Sequence, residues 1–230
     1  MAGEINEEQR DQLQRVYASA KHLLLLITDV IDISKIEVGE IEVFVEEFPL
    51  QKVVEDAVSS LRTQIEDKGL EVEVDVSPDI RLKTDSRRLL QCILNYLSNA
   101  VKFTEKGRVS ISARRVKGPG SKGLGPEKPA VRNPQPVTEN FVEIAVSDTG
   151  IGIKEEELPK LFNSFVRLDS HLKIITPGTG LGLYLTKKLA TEVLGGSVYA
   201  ESRHGEGSTF VLRIPEELDP LHLKRLSSLE

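Results

Sequence analysis

An apolar stripe runs through the first 38 residues with the spacing of one helix face. Six apolar residues and one serine follow alternating steps of three and four residues, as in a heptad seam: Leu13, Val16, Ala20, Leu23, Ile27, Val30 and Ser34. Further apolar residues make it wider than a two-stranded coiled coil needs: Tyr17, Leu24 and Ile31. That width favours a helix of a four-helix bundle. Asn6 and Gln9 are spaced as a capping pair, and Gly39 can end the helix. One helix cannot bury this stripe, so we expect a partner helix or a second copy of the chain.

Short strand patterns and amphipathic helices make up the rest of the chain. We predict strands over 41–48, 70–76, 109–113, 142–146, 197–202 and 208–214. We predict helices from Pro49 to a stop at Gly69, from Asp85 or Ser86 to about Lys102, over 154–162 and over 181–193. These elements lack regular βαβ alternation, and the last two strands form a hairpin pattern. The order predicts an α+β fold, a two-layer sandwich with one mixed sheet under a layer of helices.

The pattern divides the chain into a helix over 1–39, a domain over 40–215 and a short polar tail over 216–230. Residues 117–139 hold five prolines and four glycines with almost no apolar pattern. A segment of this composition cannot bury enough apolar surface to offset its ordering entropy. We therefore expect a mobile insert between two strands of a hairpin.

Charge and composition exclude several classes of function. The net charge of −6 leaves no basic surface for nucleic acid, so we expect no such partner. The single cysteine, Cys92, excludes an internal disulfide framework, and its apolar neighbours indicate a packed side chain. No apolar run reaches the length of a membrane span, and no signal-peptide pattern begins the chain. We expect a cytoplasmic location, with a longer, membrane-anchored parent protein as an open alternative.

A polar row on the predicted helix over 86–102 is the first candidate site. Asn95, Asn99 and Lys102 fall at i, i+4 and i+7, so they share one face. Amide oxygens are ligands that suit Mg²⁺, and a lysine one turn further can meet a phosphate. The alternative interpretation is a solvated polar face.

Three glycine-containing turns complete the candidate site. Asp148 ends an apolar strand, and Gly150 and Gly152 follow it. This carboxylate can accept a hydrogen bond from an exocyclic amine, and the glycines allow a close approach to a flat base. The second turn opens a helix and can offer backbone N–H groups to phosphates: Gly178, Thr179, Gly180, Leu181 and Gly182. The third turn joins the last two strands, with Thr209 on it. Taken singly, each turn also fits an ordinary Gly-rich connection.

Together and in this order, the four motifs resemble the N, G1, G2 and G3 boxes of sensor histidine kinases. Phe162 and Phe165 match the position of that family's F box. The resemblance covers nearly all of 1–215 and implies the Bergerat ATP-binding sandwich shared with gyrase-type ATPases and heat-shock chaperones. It implies ATP and Mg²⁺ as cofactors and a transferase active in two-component phosphorelay signalling. The partners it implies are a histidine-bearing dimerisation helix, a response regulator receiver domain and a second kinase subunit.

The family's roles carry over residue by residue. The resemblance implies that Asp148 binds the adenine amino group with Gly150 and Gly152 beside it, and that Thr209 supports it through water. It implies that Asn99 ligates Mg²⁺, while Asn95 and Lys102 hold metal and phosphates and act in catalysis. The glycine turn would close over the phosphates through Gly178, Thr179, Gly180, Leu181 and Gly182, and 167–178 would be the ATP lid.

Residues 4–38 resemble the second helix of the kinase dimerisation hairpin, whose first helix carries the phosphorylated histidine. No such acceptor motif is present, and His22 lies in a segment that matches the second helix. We therefore expect no autophosphorylation from this chain alone. Two alternatives stay open: a nucleotide-sensing scaffold without transfer, and an ATPase of gyrase or chaperone type. Those ATPases place a glutamate where this chain has Asn95, and an amide cannot act as a general base.

Overall fold

The computed structural model describes residues 6–117, 140–166 and 179–219. In chain order its helices and strands are α1 (Glu7–Glu37), β1 (Glu46–Pro49), α2 (Leu50–Ser60), α3 (Arg62–Lys68), β2 (Glu71–Val76), β3 (Arg81–Thr84), α4 (Ser86–Phe103), β4 (Arg108–Lys117), β5 (Asn140–Asp148), α5 (Gly182–Lys188), β6 (Ser197–Arg203) and β7 (Gly207–Pro215). A 3₁₀ helix over Glu155–Lys160 follows β5, and a π-helix over Leu189–Val193 continues α5. The predicted insert and ATP lid lie mostly or wholly outside the described residues.

One five-stranded sheet has the order β2-β4-β5-β7-β6. The pair β2 and β4 is parallel, and the other neighbouring pairs are antiparallel. The core-facing residues of β5 are Val142, Ile144 and Val146, which α4 covers through Ile93, Leu97 and other buried side chains. The predicted mixed sheet under a layer of helices is confirmed. Both hairpin pairings, β4 with β5 and β6 with β7, are present.

The helix α4, which carries the first candidate motif, begins at a buried acidic cap. The Asp85 side chain accepts hydrogen bonds from the backbone N–H groups of Arg87 and Arg88 at 3.0 and 3.1 Å. Its other oxygen accepts from the Phe44 N–H at 2.9 Å. At the opposite end, the Lys68 ammonium donates to three carbonyls, the first being that of Val101 at 2.7 Å. Both ends of α4 are therefore held by long-range contacts as well as by caps.

The helix α1 matches its prediction closely. The capping box between Asn6 and Gln9 is present, and the helix ends just before Gly39. Its C-terminal part contacts α5, and Ile36 is buried. Most of the predicted stripe is exposed, with Val16 at 64% and Ile27 at 48%. Among the described residues, no helix has both the length and the apolarity that a membrane crossing requires.

Several predicted boundaries were wrong. The strand predicted over 41–48 forms only at Glu46–Pro49, because its partner β3 is four residues long. The helix predicted from Pro49 to Gly69 breaks at Leu61 into α2 and α3. The strand β4 includes Lys117, so the insert cannot begin there. The start of the predicted tail is not free either, since Glu217 bridges Lys83 of β3 and Leu218 is buried.

Cys92 lies in the middle of α4 and is fully buried. Burial raises the pKa of its thiol to about 12. The expectation of a packed side chain in place of a reactive one is confirmed by this position.

Candidate functional site

A polar row along one face of α4 is contacted by three other parts of the fold in turn. The row is half-buried and consists of Arg88, Gln91, Asn95, Asn99 and Lys102. The helix α1 contacts its N-terminal members, α5 contacts its middle, and the turn after β5 contacts the end of α4. Between Asn95 and Phe103 the helix advances about 12 Å. The predicted N-box residues therefore lie along one edge, with a glycine-containing turn at each end.

Asp148 ends β5 with a carboxylate held by backbone groups. Its Oδ1 accepts a hydrogen bond from the Gly150 N–H at 2.8 Å, and the Ser208 N–H also donates to it. Burial raises the pKa of Asp148 from its usual value, and these two hydrogen bonds lower it in part. A half-buried carboxylate with unused acceptor capacity suits an exocyclic amine.

The turn after Asp148 packs closely on neighbouring backbone. The Ile151 N–H donates to the Phe103 carbonyl at 3.4 Å, which joins the turn to the end of α4. A Cβ on Gly150 would press on that same carbonyl and on the Asp148 carboxylate. Gly152 has φ 64°, and a Cβ there would collide with the Arg203 carbonyl. Both glycines are therefore required by protein contacts, in addition to any role beside a base.

Thr209 does not share the Asp148 side of the sheet. In the antiparallel register of β5 and β7, Asp148 lies opposite Ser208, and Ser147 lies opposite Thr209. Side chains alternate between the two faces, so Ser208 stands on the Asp148 face and Thr209 on the other. The Thr209 hydroxyl is 2.8 Å from that of Ser147. The sequence interpretation of Thr209 as a support for Asp148 is wrong, and Ser208 occupies the corresponding place.

The glycine turn before α5 connects to α1 as well as to the site. Gly178 lies outside the described residues. The Thr179 hydroxyl accepts from the Leu181 N–H at 3.0 Å and hydrogen-bonds to Asp29 of α1. The pKa of Asp29 is raised by burial and by Asp32, and the Thr179 bond lowers it in part. The Leu181 side chain is buried, so only its backbone can face a ligand.

Asn95 is held between two residues of α5. Its amide Nδ2 donates to the Thr186 hydroxyl at 2.8 Å. A Cβ on Gly182 would lie 2.5 Å from the Asn95 Oδ1. Because Gly182 and Thr186 are four residues apart on a helix, they form one surface under the amide. The glycine predicted to close over phosphates thus also makes room for Asn95.

The other predicted residues occupy the C-terminal half of the polar row. Asn99 lies one turn beyond Asn95, and Lys102 places its ammonium 5.0 Å from the centre of the Phe103 ring.

Of the F-box pair, Phe162 packs partly against the core. Phe165 is 71% exposed, and its backbone lies beside Gly180. The amide oxygens of Asn95 and Asn99 are a donor set that fits Mg²⁺.

Sequence reasoning missed the contact between α1 and α4. Asp32 accepts from the Arg88 guanidinium and from the Gln91 amide, both at 3.1 Å. At the end of α1, Glu37 accepts from the Tyr184 hydroxyl at 3.3 Å and lies 3.7 Å from the Lys188 ammonium. These partners are 56 or more residues apart, and no local pattern in the sequence marks them.

Ser202 is a second residue that sequence reasoning missed. Its hydroxyl accepts from the Ile153 N–H at 2.8 Å and donates to the Gly207 carbonyl at 2.7 Å. It also lies 3.0 Å from the Ser208 hydroxyl. Ser202 therefore ties the turn after Asp148 to the hairpin of β6 and β7. Its alternation on β6 predicts a strand position and gives no sign of this contact.

Comparison with known proteins agrees with this geometry. The model of the family described as histidine kinase-, DNA gyrase B- and HSP90-like ATPase matches residues 84–218, more than half of the chain. The chain belongs to this family. Its match begins just before α4 and includes every described residue of the candidate site, and the recognition of a histidine kinase-type catalytic domain is confirmed.

Two curated relatives of this family member are named histidine kinases. The signal transduction histidine-protein kinase BarA of Escherichia coli (strain K12) is 36% identical over 94% of this chain and 22% of its own length. The circadian input-output histidine kinase CikA of Synechococcus elongatus is 36% identical over 94% of this chain and 26% of its length. The chain thus spans about a quarter or less of these relatives.

Solved structures of histidine kinases have the same fold. Full-length ShkA in complex with AMPPNP is 27% identical, with a TM-score of 0.70 over 93% of this chain and 40% of ShkA. ThkA in complex with the response regulator TrrA has a TM-score of 0.64 over 93% of this chain and 53% of that one. At 18% identity, the ThkA likeness shows the fold alone.

Proposed function

We propose that this chain binds Mg-ATP and transfers its γ-phosphate to a histidine on a dimerisation helix of the kinase to which it belongs. One observation carries the proposal: the polar row of α4 runs between the Asp148 turn and the glycine turn. This places an acceptor for a base amine at one end, the Lys102 ammonium and the amide oxygens of Asn99 and Asn95 along the row, and backbone N–H groups at the other end. The named relatives and the AMPPNP in the ShkA structure support the same ligand.

In this proposal the Asp148 carboxylate accepts a hydrogen bond from the adenine amino group, and Ser208 and Gly150 keep it in place. Asn99 and Asn95 would hold Mg²⁺ through their amide oxygens. Mg²⁺ would supply charge neutralisation on the phosphates. Lys102 would add a second positive charge, and the backbone of Gly178, Gly180 and Gly182 would close over the phosphates. Phosphoryl transfer requires mainly this positioning and charge balance.

The exposed stripe of α1 supports a bundle partner. The helix exposes apolar side chains such as Tyr17 at 70% and Leu24 at 64%, and a stripe of this kind marks a face that packs on a partner. We propose that residues 1–39 are the second helix of a dimerisation hairpin, that 40–215 form the catalytic domain, and that the full kinase is a homodimer. A response regulator receiver domain would accept the phosphate next, and the site would face the cytoplasm.

Transfer and simple nucleotide binding can be separated experimentally. The chain would be mixed with Mg-ATP labelled in the γ-phosphate and with a supplied hairpin that carries the acceptor histidine. A hairpin with glutamine in place of that histidine is the control. We expect acid-labile, alkali-stable label only on the histidine hairpin, and none with Asp148→Ala. Binding of ATP without label on either hairpin would favour the nucleotide-sensing scaffold, and release of inorganic phosphate would favour an ATPase.

A further inference from the structure

The serine and threonine hydroxyls on the described helices differ in the groups that they bond. Four of them donate to the backbone carbonyl one turn earlier, at 2.8 to 2.9 Å: Thr28, Ser34, Ser60 and Thr191. This is the usual behaviour of a serine or threonine within a helix. The Thr186 hydroxyl instead accepts a hydrogen bond from the Asn95 amide, 91 residues earlier in the chain. Thr186 is only 2% exposed, so this contact is shielded from water.

The contact holds the Asn95 amide group in place against α5. Its nitrogen points to Thr186, so its oxygen must point the other way, toward Gly182 at the start of α5. A hydroxyl can donate as well as accept, so what the contact fixes is the place of the amide group, with its oxygen lying beside Gly182. An amide nitrogen has no lone pair for a cation, whereas an amide oxygen is a suitable ligand.

We propose that Thr186 is a positioning residue, which orients the Asn95 amide so that its oxygen faces the metal and phosphates of Mg-ATP. The inference rests on the proposed function of Asn95. Thr186 itself does not contact the nucleotide. Its hydroxyl acts by fixing one rotamer of a neighbouring side chain, as supporting hydrogen bonds do around metal ligands.

Thr186→Val tests this role because valine keeps the shape and removes the acceptor oxygen. Calorimetry of the full chain would measure the affinities for Mg-ATP and for adenosine in a chelator. We expect Mg-ATP to bind roughly three- to tenfold more weakly, the effect of one hydrogen bond. Adenosine, which has no phosphates, should bind within twofold of the original affinity. Thr186→Ser, which restores the hydroxyl, should recover Mg-ATP binding.

Thr191→Val is the matched control, since Thr191 belongs to the same helical segment and its hydroxyl donates to the Lys187 backbone carbonyl one turn earlier. It should leave both affinities unchanged. A Thr186→Val variant that matches Thr191→Val in Mg-ATP affinity would refute the inference. Equal losses for Mg-ATP and adenosine would also refute it, because they would indicate a packing role. If valine prevents folding, Thr186→Cys has a similar size and a weak sulfur acceptor, and carries the same expectation.

Asn95→Ala separates this inference from the proposed function. We expect it to weaken Mg-ATP binding, and Thr186→Val should add no further loss in that background, because the two residues act together. Unchanged Mg-ATP affinity in Asn95→Ala would contradict the role of Asn95 itself. A loss in Asn95→Ala with none in Thr186→Val would contradict only the role of Thr186.

Discussion

Replacing Gly182 with alanine should change the free energy of unfolding through two effects of opposite sign. An alanine at a helical position is favoured over glycine by up to about 1 kcal/mol. Its Cβ, however, would lie 2.5 Å from the Asn95 Oδ1, far inside normal contact distance. To avoid this collision, Asn95 must move and lose its hydrogen bond to Thr186, which costs about 0.5–1.5 kcal/mol. Overpacking around the new methyl group costs about 1–3 kcal/mol more. We expect Gly182→Ala to reduce the free energy of unfolding by about 1–2 kcal/mol.

The same substitution should behave differently once Asn95 is shortened. In an Asn95→Ala background no oxygen opposes the new methyl group, and only the gain in helix propensity remains. There we expect Gly182→Ala to be neutral or to stabilise by up to about 1 kcal/mol. Urea unfolding of the four proteins gives the coupling between the two positions, expected at about 2 kcal/mol. Equal effects of Gly182→Ala in both backgrounds would refute the contact between Gly182 and Asn95.

Three further perturbations test other parts of the site. Folding favours the protonated form of Asp148, whose pKa is raised by burial, so the group stabilises the fold below pH 3.8 and loses that effect as pH rises through the raised pKa. Asp148→Asn should therefore raise the midpoint of thermal unfolding more at pH 7.5 than near pH 4.5, and a lower midpoint at pH 7.5 would contradict the expected direction. Calorimetry should show roughly ten- to a hundredfold weaker Mg-ATP binding for this variant. Asn99→Ala should weaken Mg-ATP binding far more than adenosine binding, and equal losses would place Asn99 in the base pocket or the core. Asp32→Ala should cost roughly 2 kcal/mol in urea unfolding, because it removes the carboxylate that the part-buried Arg88 and Gln91 share and leaves Arg88 only its bond to the Gln91 oxygen. Asp11→Ala, whose partner Arg15 is exposed, should stay within about 0.5 kcal/mol, and equal losses in the two variants would contradict the role of Asp32.

The sequence predicted those helices and strands that depend on residues close together in the chain. The capping box of α1 and the Asp85 cap of α4 depend on residues two or three positions apart, so spacing indicates the first and narrows the second to Asp85 or Ser86. The mixed sheet followed from alternation in β2, β4, β5, β6 and β7. The strand β3 was missed because four residues give too short an alternation, and only its pairing with β1 defines it.

The residues that orient the site depend on register and on distant contacts. Ser208 and Thr209 are adjacent in sequence, and only the pairing of β7 with β5 shows which of them faces Asp148's side. In the same way, Asp32 meets Arg88, and Asn95 meets Thr186, only after α1 and α5 pack on α4. Sequence motifs thus identified the Mg-ATP candidates, while the side chains that hold them in place required the folded chain.

The buried thiol of Cys92 can report when the packed core around α4 opens to solvent. It is the only cysteine in the chain, and its thiol is fully buried with a pKa near 12. The thiolate is the nucleophile that attacks thiol reagents, so the native protein should remain unlabelled, while any molecule in which the core around α4 has opened reacts. The rate of labelling therefore counts opening events of the layer that carries the polar row, without an engineered probe. A bound ligand that spans this row should slow labelling by the same factor by which it lowers the population of the open form.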